Sequence, residues 1–401
     1  MRKVYFDHNA TTPVHEEVFN EMLPFLKDEW GNPSSIHWAG RAPKKAVDDA
    51  REKVCKFLNC SAVELIFTSS GSESNNLAIK GALNASKKGK HVITTKVEHP
   101  AVLSTCKYLE KEGYEVTYLG VDKDGNLSLD ELKAAIRKDT ALITVMFANN
   151  ETGVVFPIKE IAAIGAENKV LVHTDAVQAA GKVTLDVKDL GIDLLTISGH
   201  KLYAPKGIGA LYVKRGVRLT PVIHGGHQER NRRAGTENVA GIVALGKACE
   251  IASRDMEKEA EHLSTLRNRL EEGLAAKVPH VLLNGKKASR LPNTTNISFE
   301  YIEGESLLLS LDMLGVAASS GSACTSGSLE PSHVLGAMGL PPESLHGSLR
   351  FSLGKSNTMD DVEYVIEKLP PIVERVRSMS PLWNDAEKTG KMIDFDTKKC
   401  G

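Results

Sequence analysis

VLVHTDAVQ (170–178) and DLLTISGHK (193–201) decide how this chain folds. Each is a short, mostly apolar run rich in branched residues that ends abruptly in polar ones, the pattern of a strand buried on both faces. Outward from them, ELIFT (64–68), HVITT (91–95), ALITVMFA (141–148) and GIGALYV (207–213) repeat the pattern, and segments of helical length and spacing, such as 101–111 and 130–138, lie between. Strands of this kind alternating with helices make a mostly parallel sheet covered by helices on both faces. The longest apolar run, 141–148, reads as a strand throughout, and Pro13 after Thr12 reads as the first position of a helix.

Beyond about residue 255 the pattern changes. A charged helical stretch (255–277) leads to strand-like VLLNG (281–285) and TTNISFE (294–300), a helix near 306–314 and the run VAASSGSACTSGSLEP (316–331). The expected fold class is therefore α/β. A large domain with the mostly parallel sheet spans 13–255, and a smaller α+β domain takes 1–12 and 256–401. By composition the Ser/Gly cluster at 319–328 reads as a flexible loop and the polar stretch from 380 onward as a mobile tail.

With 401 residues, 41% hydrophobic and 25% charged, the chain has the size and composition of a multidomain globular enzyme, not of a disordered or collagen-like protein. Its 50 basic and 51 acidic residues leave a net charge of -1, so no global field draws it to nucleic acid or to an anionic membrane, and neither is expected as a partner. No run approaches the roughly 18 to 20 apolar residues of a membrane helix, and 1–13 carries no long apolar segment with a cleavage site. A cytoplasmic location is expected. Cysteines 55, 60, 106, 249, 324 and 400 form no CxxC pair and no Cys/His zinc spacing, so reduced thiols and no metal site are expected.

In open parallel sheets ligands bind beyond the carboxyl ends of the strands, so the residues that follow each apolar run carry the information. ELIF is followed by TSSGSESNN, a Ser/Gly turn entering a helix, which suits a phosphate but is also ordinary turn chemistry. HVITT is followed by His99, and a lone His is more often a surface or satisfied core residue. ALITVMFA is followed by Asn149, Asn150 and Gly153, which a simple turn would explain. Asp175 is sharper: an acid ending an apolar strand is costly unless it pairs with a cation or a protonated heterocycle, and Gln178 follows about a turn later. Lys201 ends a further buried strand, with Lys206 in the turn APKG as its rival. A lysine able to form a Schiff base, an aspartate for a pyridinium nitrogen and a phosphate cradle are what pyridoxal 5'-phosphate requires of a protein.

Nearly the whole chain resembles the cysteine desulfurases of the NifS/IscS kind, pyridoxal-phosphate enzymes of fold type I in the class V aminotransferase superfamily. The resemblance runs in order through DHNATTP (7–13), GNPSSIH (31–37), VEHPAVL (97–103), ANNETG (148–153), TDAVQ (174–178), SGHKLYAPKGIGALY (198–212), RAGTEN (233–238), SSGSACTSGSLEPSHVL (319–335) and LRFSLG (349–354). It implies that Lys201 is the Schiff-base lysine, that Asp175 binds the pyridine nitrogen and Gln178 the ring hydroxyl, and that His99 stacks on the ring and moves protons. It implies a phosphate site from Gly71, Ser72, Ser198 and His200, with Thr236 reaching the phosphate of the other subunit in an obligate homodimer. Asn150 and Arg350 would grip the substrate carboxylate, Arg350 through a planar pair of donors that a lysine lacks. Ser72 stands where the family often has Thr, which keeps the hydroxyl. SPLW (380–383) is family-like, but the tail beyond it diverges.

Cys324 on its own reads as a small buried hydrophobe. A Ser/Gly-rich loop buries little, however, so an exposed and movable thiol is expected, and only a thiolate is a good nucleophile. The resemblance gives Cys324 the substrate sulfur as a persulfide, in a reaction that turns L-cysteine into L-alanine and hands sulfur to an iron–sulfur scaffold or a sulfur-carrier protein. Rival readings are a selenocysteine lyase or another class V aminotransferase-type enzyme, and a cofactor-free sulfur-binding scaffold that keeps only the fold.

Overall fold

The computed structural model describes residues 2–320, 331–381 and 383. Its strands are β1 (Val4–Tyr5), β2 (Leu65–Thr68), β3 (His91–Thr95), β4 (Glu115–Leu119), β5 (Thr140–Thr144), β6 (Leu171–Asp175), β7 (Leu194–Ser198), β8 (Gly209–Val213), β9 (Val281–Asn284), β10 (Thr294–Phe299), β11 (Val316–Ala317), β12 (Ser319–Ser320) and β13 (Ser348–Ser352). A seven-stranded sheet has the order β2-β8-β7-β6-β5-β3-β4. It is parallel from β4 to β7 and antiparallel where β8 meets β7 and β2. Because β8 alone reverses, β2 runs with β7, and every strand except β8 delivers its carboxyl end to one edge.

Successive residues of these strands enter opposite cores, as the two-residue pleat requires. Ile66, Val92, Leu142 and Leu194 face one layer with Leu77 and Ile79 of the helix Gly71–Ala85. Their neighbours Phe67, Ile93, Ile143 and Leu195 face the other with Val54, Ile161 and Leu245. Burial on both faces is why these strands read as continuous apolar runs.

The second sheet is antiparallel, in the order β12-β13-β10-β9, and β1 pairs with β11 beside it. Val4, Phe6, Ile297, Phe299, Leu349 and Phe351 form its core with Leu266, Leu270 and Ile366. The helix Val239–Lys277 serves both units: Leu245, Cys249 and Ile251 belong to the first core, Leu263 and Leu270 to the second. The expected boundary at 255 thus falls inside one continuous helix, and the short helix His333–Ala337 places Val334 and Leu335 in the first core.

Several local expectations change. Pro13 does not open a helix: the first is Glu16–Met22, capped by His15, whose Nδ1 accepts from Glu17 N at 3.2 Å. The run 141–148 is regular strand only to Thr144; Val145 N and Phe147 N still donate to His173 O and Asp175 O, and the chain turns at Asn149, whose Oδ1 gathers the backbone N–H groups of Glu151 and Thr152. β4 was not singled out in the sequence; it is a partly exposed edge strand and lacks the continuous apolar signature. Ser319 and Ser320 pair with Arg350 and Leu349, while 321–328, and the tail from 384 on, lie outside the described residues. Among the described residues no helix is long and apolar enough to cross a membrane.

Candidate active site

At the carboxyl edge of the large sheet lies a cavity of about 430 Å³. Gly71 and Ser72 reach it from the turn after β2, His99 from the turn after β3, and Asn150 from the turn after β5. Asp175 and Gln178 come from β6 and its turn, Ser198 from the end of β7, and His200 and Lys201 from the 3-10 turn that follows. Arg350 and Ser319 enter from the second sheet, and Asp7 and Asn9 from the N-terminal segment. Thr236 is exposed and does not line this cavity. Cys324 lies outside the described residues.

One end of the cavity is built for an anion. Ser70 caps the helix Gly71–Ala85, its hydroxyl accepting from Glu73 N at 3.1 Å, and the first N–H groups of a helix have no acceptor within it. A Cβ on Gly71 would stand 2.8 Å from Val177 Cγ2, so only glycine lets the backbone approach here. Ser198 Oγ is buried with no hydrogen-bond partner among the described residues. Burial, reinforced by Lys201 and Lys206, pushes His200 down to about 4, so at this end it is a neutral ring.

At the centre Asp175 is almost fully buried, and both its oxygens are engaged: Oδ2 accepts from Asn75 Nδ2 at 2.6 Å and Oδ1 from Val177 N at 3.0 Å. Gln178 Nε2 donates to Asn9 O at 3.0 Å, and its Oε1 is buried without a partner among the described residues. Lys201 Nζ donates to Asn9 O and, at 2.7 Å, to Ala10 O, which ties the amine to the N-terminal segment. His99 caps the helix Pro100–Lys111, and its Nδ1 accepts from Ala101 N at 3.1 Å. That bond leaves the ring proton on Nε2. Burial, opposed by Asp175 and reinforced by Lys201, holds His99 below the ordinary imidazole range.

The opposite end carries the cation. Arg350 Nη1 donates to Asn150 O at 3.1 Å and Nη2 to Asp7 Oδ1 at 2.7 Å, while its buried Nε has no partner among the described residues. An anion site, a buried carboxylate beside an amine, and an arginine thus lie in sequence along one cavity. This order suits a phosphorylated cationic heterocycle with a carboxylate substrate beside it.

Three contributors were not singled out from the sequence. Asn75 orients Asp175, Asp7 pairs with Arg350, and Asn9 joins the two sheets through Asn150 O, Thr294 Oγ1 (2.9 Å) and Ser352 Oγ (2.9 Å). All three sit inside quoted segments, DHNATTP and SGSESNN, which was the only signal available.

The aminotransferase class-V family matches residues 4–365. A cysteine desulfurase of Trichormus azollae is 57% identical over 385 residues, covering 96% of each chain. A solved NifS-like protein superposes with a TM-score of 0.88 at 39% identity, over 93% of this chain and all of its own. The structure described as SspA in complex with cysteine gives a TM-score of 0.78 at 38% identity, over 88% of this chain and 99% of its own.

Proposed function

The chain belongs to the class V aminotransferase family, and from that premise we propose that it works as a pyridoxal-phosphate-dependent cysteine desulfurase, converting L-cysteine to L-alanine and retaining the sulfur as a persulfide for transfer. The observation that carries this reading is the gathering of Lys201, Asp175, His99 and Arg350 around one cavity in a chain so similar to a cysteine desulfurase. The selenocysteine lyase reading has no comparable support.

The residues present fit pyridoxal phosphate. The open N-terminus of the helix Gly71–Ala85, with Ser72, the unpartnered Ser198 Oγ and His200, would take the phosphate. Gln178 Oε1 would accept from the ring hydroxyl, Asp175 would keep the ring nitrogen protonated, and Lys201 Nζ would be the amine that holds the aldehyde carbon. When bound, the cofactor supplies an electron sink for charge developing at the substrate α-carbon. Arg350 and Asn150 hold the L-cysteine carboxylate, and Lys201 Nζ takes the α-proton. Cys324 Sγ takes the substrate sulfur, the carbon–sulfur bond breaking as the sulfur–sulfur bond forms. The carbon skeleton gains two protons, one at Cβ, which His99 Nε2–H is placed to give, and one returned to Cα by Lys201 Nζ, and leaves as L-alanine.

A homodimer completes the site in this reading. Thr236 is exposed away from its own cavity, and Leu26, Trp30, Ile36 and Trp38 leave an apolar surface that a second copy would cover. The sulfur then passes to an iron–sulfur scaffold or carrier protein in the cytoplasm. The deciding experiment gives purified protein L-cysteine without reductant and weighs the Cys324 peptide. One added sulfur atom is expected; an unmodified Cys324 on cofactor-loaded protein would overturn the reading.

A further inference from the structure

The short helix His333–Ala337 is fastened to the turns that carry two cavity residues. Ser332 Oγ donates to Glu151 Oε2 at 2.5 Å and accepts from Leu335 N at 3.1 Å, so one hydroxyl both caps the helix and anchors it. His333 Nε2 donates to Glu98 O at 3.0 Å. Both acceptors are themselves fixed. Asn149 Oδ1 accepts from Glu151 N at 2.9 Å, and Glu98 Oε1 accepts from Thr95 Oγ1 (2.8 Å) and Met146 N (3.0 Å). Glu151 follows Asn150 and Glu98 precedes His99, so the two anchor points adjoin two residues that line the cavity. Val334, Leu335 and Met338 are buried in the large-sheet core on the inner side of this helix.

The other end of the intervening segment is held differently. Ser319 lines the cavity, and Ser319 and Ser320 pair with Arg350 and Leu349 of β13. Cys324 is four positions after Ser320 and eight before Ser332. An extended chain bounds those arms at about 14 Å and about 29 Å. The short arm starts from the cavity wall at Ser319–Ser320, and the long arm ends at the hydrogen bonds of Ser332.

We propose that Ser332 and His333, tied to Glu151 and to the Glu98 carbonyl, are positioning residues that fix the downstream end of the Cys324 segment beside the substrate end of the cavity and thereby raise the effective concentration of the thiol at the substrate sulfur. This rests on the desulfurase reading. It concerns the transfer step alone, because neither residue lines the cavity or touches a group assigned to the cofactor.

The test compares cofactor-loaded wild type, Ser332→Ala and Ser332→Thr. Ser332→Ala should keep the visible cofactor band and the KM for L-cysteine, while the first-turnover arrival of sulfur on Cys324 slows about tenfold and amide exchange across 333–337 speeds about tenfold, the effect of one lost buried hydrogen bond. Ser332→Thr keeps the hydroxyl and should restore both rates. Sulfur arriving at the wild-type rate in Ser332→Ala would overturn the proposal, as would a slowing matched by loss of the cofactor band or a rise in KM. Should wild type take no sulfur on Cys324, the desulfurase reading fails, and the exchange comparison still decides the anchor: faster exchange in Ser332→Ala upholds it and equal exchange removes it.

Discussion

Arg350 and Asp7 form an ion pair 2.7 Å long, with the arginine side chain 3% exposed and the aspartate 19%. The cation we propose for the substrate carboxylate therefore already faces a carboxylate, supplied by the N-terminal segment. Such a pair compensates a buried guanidinium and sets what an incoming carboxylate must compete with. Arg350→Ala should raise KM for L-cysteine by roughly 10- to 100-fold, the loss of a charged hydrogen bond. Asp7→Asn should lower it, since the remaining cation is less compensated. Steady-state kinetics on cofactor-loaded protein checks both, and a KM unmoved in Arg350→Ala would remove this residue from the carboxylate site.

Lys201→Ala should abolish the visible absorption of covalently held cofactor. Titration with pyridoxal phosphate after dialysis reads it directly. A normal Schiff-base band in the variant would transfer the assignment to another lysine, with Lys206 next in line.

Cys324→Ala should bind cofactor and L-cysteine normally, as judged by substrate-induced spectral change, yet release no sulfide in the presence of reductant. Full sulfide release would end the persulfide scheme while leaving the cofactor assignment intact.

Glu98 is wholly buried, and burial pushes its carboxyl up to about 8, with the bonds from Met146 N and Thr95 Oγ1 offsetting only part. Between the ordinary value of 4.5 and about 8 the folded protein keeps a proton that the unfolded chain gives up. The native state then binds more protons, so stability falls as pH rises through that window. Glu98→Gln, isosteric with the neutral acid, should flatten this fall. Urea midpoints at the two ends of the window measure it, and an equal drop in both proteins would contradict the assignment.

Arg51 and Glu229 form a buried pair, Nη2 to Oε1 at 2.6 Å, and Glu229 Oε2 also accepts from Phe67 N at 3.1 Å. Glu229→Ala strands a buried guanidinium and a strand N–H, which should cost about 3 to 5 kcal/mol. Denaturant unfolding would show it as a lowered midpoint, and a loss within about 0.5 kcal/mol, as for an ordinary surface substitution, would mean the pair contributes little.

How much of this was legible follows from which interactions are local. The strands at 91–95 and 194–198 were readable because burial on both faces leaves an unbroken apolar run, and β4 was not because an edge strand is only partly buried. Asp175 and Lys201 stood out as charges ending apolar runs. Asn75 did not, because its amide matters only through a carboxylate a hundred positions away.

What the sequence determined by itself was the order of strands and helices, the polar residues at the strand ends and, through its motifs, the family. These depend on periodicity and on side-chain chemistry within a few residues of each other. Only the tertiary structure decided that β8 reverses, that Asn9 joins the two sheets, that Asp7 compensates Arg350, and that Ser332 and His333 are fastened beside Asn150 and His99. Those partners lie tens to hundreds of residues apart, and the free energy that brings them together comes from burying two apolar cores, a property of the whole chain that no local window contains.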